Sequence, residues 1–191
     1  SNARYNLQEA EKNGVKLGVY FFSTAISQEE AVEEADWTAD FIAQYPITYP
    51  VVYDCEGFTD TESRQYGMSK TERTDIALAF LKRIEQRGYE GMFYAAKNEL
   101  QDETLWETSR IEKHYKIWVA QFPGDADPAV HTSSYTGEHQ MWQYTMEGSV
   151  PGISQPVDMN VAYFGYDGVE KPKDETPPAE AFPDAEALMD F

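Results

Sequence analysis

What most restricts the fold of this chain is an alternation. Stretches of helical periodicity are followed, again and again, by short apolar runs bounded by glycine or proline. Leu7 and Ala10 precede a helix stop at Asn13-Gly14, and VKLGVYFF, Val15 to Phe22, then reads as a strand. Ser27 opens S-x-x-E with Glu30, a capping box in which each side chain satisfies an otherwise orphaned backbone donor. The segment it starts runs to about Gln44 and sets Ala31, Ala35, Ala39 and Ile42 near one face. Pro46 and Pro50 mark a loop before the strand VVYD, Val51 to Asp54. Ser69 and Glu72 repeat the box, followed by Ile76, Phe80 and Ile84 at helical spacing; Gly88 stops that helix before GMFYAA, Gly91 to Ala96. A further helical stretch around Leu105 to Lys113 leads into YKIWVAQF, Tyr115 to Phe122. QMWQYT, Gln140 to Thr145, and VDMNVAYF, Val157 to Phe164, read as later strands. Helix–strand alternation of this kind predicts an α/β fold with parallel strands, open or closed as a barrel.

The 191 residues are enough for one domain with a substantial core, and 41% hydrophobic content excludes a disordered chain. Acidic residues number 34 against 15 basic, a formal charge of -19 that repels nucleic acid and anionic lipid. No nucleic-acid partner is expected. No apolar run approaches the ~20 residues needed to span a bilayer, so no membrane insertion is expected either. The single cysteine excludes an intrachain disulfide framework and leaves the redox compartment undecided. Ser1-Asn2-Ala3 resembles the scar of a cleaved expression tag, so the missing signal peptide carries no weight. The expected domain covers residues 4–166. Residues 167–191 are acidic and proline-rich, a tail or linker ending in a short amphipathic helix with Phe182, Leu188 and Phe191.

Candidate chemistry centres on VVYDCEGF, residues 51–58. Alternate strand side chains share a face, so Asp54 and Glu56 point together while Cys55 points away. Their backbone origins lie roughly 7 Å apart, close enough for both carboxyls to reach one small group. Close carboxylates also push each other's proton affinities apart, which suits acid–base work. Set against this, D-x-E is common by chance and often merely solvated. Cys55 reads as a buried small hydrophobe rather than a nucleophile. His114, His131 and His139 show no metal-ligand spacing, so no metal is expected. Tyr20, Tyr94, Trp118, Trp142 and Tyr144 all fall near the C-terminal ends of predicted strands. Core packing explains any one of them; together they offer flat apolar faces and polar donors suited to sugar rings. Asp158, after the loop GSVPGISQP, either joins this cluster or serves as a turn residue.

In order along the chain, GVYFF, A-x-x-E-A-D from Ala31, VVYDCE, MFYAAK, IWVAQF and MWQYTMEGSVPGISQPVDMN resemble glycoside hydrolase family 25, the peptidoglycan-cleaving lysozymes. The most specific stretch is W-Q-Y with G-x-V-x-G-I and V-D-x-N, and the likeness runs from about Leu7 to Phe164. It implies a modified (β/α) TIM-like barrel and hydrolysis of the β-1,4 bond from N-acetylmuramic acid to N-acetylglucosamine. Glu56 would protonate the leaving oxygen. Asp54 would orient the substrate's N-acetyl group as it attacks its own anomeric carbon, a retaining route without a covalent enzyme intermediate. Tyr20, Tyr94, Trp118, Trp142 and Asp158 would contact substrate. The implied partner is bacterial peptidoglycan, no cofactor is implied, and the implied location is extracellular or in the cell wall.

The chain departs from the family by starting at the helix after the first two strands, the first of which carries an active-site Asp. About six of the usual eight strands are expected, a barrel truncated at its N-terminus, and the activity of the truncated chain is left open. Exposed barrel edges are candidates for self-association. Phe21 replaces the histidine of a frequent Y-H-F, on the face away from Tyr20. Two other readings compete: a non-catalytic wall-binding domain on the same barrel, and another D-x-E glycosidase of chitinase-like specificity.

Overall fold

The computed structural model describes residues 2–124 and 126–165. The expected tail over 167–191 lies outside them. The elements run α1 (Asn2–Lys12), β1 (Leu17–Phe22), α2 (Gln28–Ile42), β2 (Ile47–Asp54), α3 (Lys70–Gln86), β3 (Gly91–Ala96), α4 (Lys97–Gln101), α5 (Thr108–Glu112), β4 (Lys116–Ala120), β5 (Met141–Gly148) and β6 (Val157–Ala162). Strands β1 to β6 are ordered in a sheet as they are in the chain. This is the expected α/β class, an incomplete (β/α) barrel of six strands. β1–β2 and β4–β5 pair parallel. β5 and β6, joined by a turn instead of a helix, pair antiparallel, a departure from the all-parallel expectation.

The chain divides into two compact units, the first reaching Phe93 and including Ser109–Tyr115, the second comprising Tyr94–Thr108 and the chain from Lys116 onward. In the first unit the Ser69 box forms in full, while at Ser27 only the cap half does, Glu30 accepting instead from the Ile26 N–H. Ser27 accepts the Glu30 N–H, and Ser69 accepts the Glu72 N–H while Glu72 accepts the Ser69 N–H. α2 buries the small residues Ala31, Ala35 and Ala39 and packs against α3, which buries Ile76, Phe80 and Ile84. Asp36 accepts from Arg83 Nε at 2.8 Å and Arg87 Nη1 at 2.5 Å, which holds its carboxyl below the usual range. Beneath the helices Tyr53 lies 5.3 Å from Phe80 and 6.1 Å from Phe93, between ring centroids.

β2 begins earlier than its prolines suggest, and Pro50 lies inside it. Leu17 aligns with Ile47 but Val19 with Val51, so β2 carries extra residues in a bulge, where a missing N–H is tolerated. Gly18 faces that bulge; a Cβ there would sit 2.8 Å from Tyr49 Cβ and 3.1 Å from the Pro50 carbonyl. The helical stretch expected from Leu105 to Lys113 narrows to α5.

In the second unit Ile117, Val119, Trp106 and Trp142 form the centre of a core. His139 is buried, with Nε2 3.2 Å from Thr132 Oγ1 and its ring 6.0 Å from Tyr163. Among the described residues no group of three or more His, Cys, Asp or Glu is placed to hold a metal, and no helix is long and apolar enough to cross a membrane.

Candidate active site

In the first unit, Tyr20 aligns with Val52 and Phe22 with Asp54, so Tyr20, Phe22 and Asp54 share a sheet face. Cys55, one residue on, turns to the opposite side and is buried. Asp54 is 6% exposed, Glu56 is half-buried, and Tyr20 is 65% exposed. The main chain at this strand end is held by the Ser23 N–H, which donates to the Asp54 carbonyl at 2.7 Å. Ser23 in turn donates through Oγ to Glu34 Oε2 at 2.5 Å, and the Thr24 N–H donates to Glu34 Oε1 at 3.2 Å. Burial of Glu34 outweighs these bonds and pushes its carboxyl above the ordinary value.

The loop after Glu56 is pinned at several points. Gly57 turns it with φ +68°. Arg64 donates to the Thr24 carbonyl and to both Glu30 oxygens, and Gln65 donates from Nε2 to the Ala25 carbonyl at 2.8 Å. Arg73, buried at the start of α3, sits 3.9 Å above the Phe58 ring and donates to the Met68 carbonyl.

In the second unit, Trp118 aligns with Met141, Ala120 with Gln143, and Gln143 with Asn160. Trp118, Gln143 and Asn160 therefore share a face, and Asp158 joins them by alternation along β6. Tyr94 and Trp118 meet edge-on, 4.9 Å between centroids. The Tyr94 hydroxyl donates to Gln143 Oε1 at 2.8 Å, and Trp118 Nε1 donates to Asn160 Oδ1 at 3.0 Å. Both aromatic groups are thus locked in orientation, with Tyr94 largely buried and Trp118 half-buried. Asp158 is exposed, and partial desolvation pushes its carboxyl above the ordinary value.

Trp142 corrects the sequence reading. It lies on the face opposite Trp118, has no exposure, and spends its indole N–H on the Gln121 carbonyl at 2.9 Å. A ring with no free face offers nothing for a sugar to stack on. It is a core residue, and Tyr144 packs 5.7 Å from it.

The sequence reading does not single out Gln65, Gln143 or Asn160, which the structure bonds to Cys55, Tyr94 and Trp118. Gln143 and Asn160 do stand in the W-Q-Y and V-D-x-N stretches, a signal that gave their presence but not their task. Gln65 had no such signal.

The model for "Glycosyl hydrolases family 25" matches residues 1–153. No curated protein sequence matches the chain. Among solved structures, the modular autolysin LytC from Streptococcus pneumoniae, in complex with a synthetic peptidoglycan ligand, superposes with a TM-score of 0.68 at 24% identity. The likeness covers 84% of this chain and 37% of that one. The bacterial lysozyme from Streptomyces coelicolor gives 0.64 at 24% identity, covering 85% and 74%. The spore cortex lytic enzyme SleM from Clostridium perfringens gives 0.64 at 22% identity, covering 83% and 52%. At these identities the likeness shows a shared fold. The chain spans well under half the length of the autolysin and about half that of the spore enzyme.

Proposed function

The chain belongs to glycosyl hydrolases family 25, and from that premise we propose that it hydrolyses the β-1,4 bond between N-acetylmuramic acid and N-acetylglucosamine in bacterial peptidoglycan. Glu56 is the general acid. It protonates the glycosidic oxygen as that oxygen leaves with the bonding electron pair. The substrate's own acetamido oxygen attacks the anomeric carbon from the opposite face, with Asp54 orienting the N-acetyl group. Water then opens the resulting ring, giving up a proton to Glu56, and the configuration is retained. Tyr20, Tyr94, Trp118 and Asp158 are the proposed sugar contacts. The action belongs at the cell wall or outside the cell.

The observation that carries this reading is the family match, which spans the D-x-E at the end of β2 and the motifs that follow it as far as residue 153. The placement of the pair is consistent with it: a largely buried carboxylate at the strand end and a half-buried one two residues on. Incubation with purified peptidoglycan should release soluble fragments with new reducing ends at muramic acid. Glu56→Gln should lower turnover by about 10²–10⁴-fold, the usual contribution of general acid catalysis. Normal turnover by that variant would remove the acid assignment. Wall binding without any turnover, by wild type and variant alike, would point to a binding domain.

A further inference from the structure

The pairing of β2 with β1 ends at Asp54, whose carbonyl takes the Ser23 N–H. The proposed acid lies two residues beyond that last rung. Between the two carboxylates stands Cys55, pointing the other way. Its thiol donates to Gln65 Oε1 at 2.9 Å, and the same amide donates from Nε2 to the Ala25 carbonyl at 2.8 Å. Gln65 is 2% exposed. One buried amide thus ties the peptide between Asp54 and Glu56 to the loop that joins β1 to α2. The Ala25 carbonyl can only accept, so the amide nitrogen must face it and the amide oxygen is left to accept from the thiol.

We propose that Gln65 is a positioning residue: by bridging the Cys55 thiol and the Ala25 carbonyl it sets the rotation of the strand end and hence where Glu56 presents its carboxyl. The inference rests on the reading of Glu56 as the general acid. Cys55 is then neither nucleophile nor filler; it is the handle by which the carboxylate pair is held from behind. A displacement of about 1 Å at such a point is enough to cost up to about a hundredfold in rate, because the proton must travel along a short, aligned hydrogen bond.

The test uses Gln65→Met, which keeps the volume and removes both bonds, with Cys55→Ala and Cys55→Ser. Each is assayed for kcat and KM on peptidoglycan, and the Glu56 carboxyl is titrated by NMR. Gln65→Met and Cys55→Ala should lower kcat at least about tenfold with KM within about twofold, the mark of an interaction that matters in the transition state. Both should displace the Glu56 titration midpoint. Cys55→Ser, which keeps a donor to Gln65, should restore both values towards wild type, and the double variant should be no worse than either single one. Unchanged kcat and an unchanged Glu56 midpoint in folded Cys55→Ala would overturn the proposal. So would a serine variant as impaired as the alanine one. If Gln65→Met does not fold, the alanine–serine comparison decides alone. If the wild type shows no turnover, the functional reading fails, while the Glu56 titration still judges the clamp.

Discussion

Glu34 illustrates how one side chain trades desolvation against hydrogen bonds. It accepts from Ser23 Oγ and the Thr24 N–H, yet burial prevails and its carboxyl ionises at higher pH than an ordinary glutamate. A group whose folded pKa lies above its unfolded value contributes stability that is fully present below the unfolded pKa, near 4.3. That contribution is lost as pH rises through the raised folded value. Urea unfolding of wild type and Glu34→Gln, at a pH below 4 and again near neutrality, should show the variant gaining relative to wild type at the higher pH. The same residues mark the limit of what the sequence could tell. The opposite sides taken by Asp54 and Cys55 were legible because alternation on a strand is local. Gln65 was not: its partners lie 10 and 40 residues back, and nothing short-range announces them. Trp142 was misread because choosing between two faces requires the register of β5 on β4, which is a property of the sheet.

At the level of elements, the helices were the most legible. The N-caps at Ser27 and Ser69 act within a single turn, so pattern and outcome coincide, though only Ser69 completes its box. β2 was less so, because its prolines argue locally for a loop while the bulge opposite Gly18 lets the pairing with β1 continue past them. This makes Gly18 a packing requirement of the pair. A Cβ placed 2.8 Å from Tyr49 Cβ lies closer than carbon atoms tolerate, and the strand must shift to admit it. Gly18→Ala should destabilise the protein by about 1–3 kcal/mol, the usual cost of forcing a methyl into a filled space. The denaturation midpoint should fall while the slope of the transition stays unchanged.

For the whole molecule the formal charge of -19 sets the terms of encounter with any polyanion. Repulsion acts over the screening length, which contracts from about 30 Å at 0.01 M salt to about 8 Å at physiological ionic strength. Association of Glu56→Gln with anionic cell-wall preparations should therefore strengthen as salt rises over that interval, measured by cosedimentation; weakening with salt would mean that a local cationic patch governs docking. The burial of the indoles also divides the protein's light emission by function. Of its tryptophans, Trp37 is 59% exposed, Trp118 half-buried beside Tyr94, and Trp106 and Trp142 enclosed. An oligosaccharide settling on Trp118 should perturb one emitter and leave the two enclosed ones silent. Those two should shift to longer wavelength only when denaturant opens the core. Ligand occupancy and global unfolding can then be followed in one cuvette, by fluorescence the chain already carries.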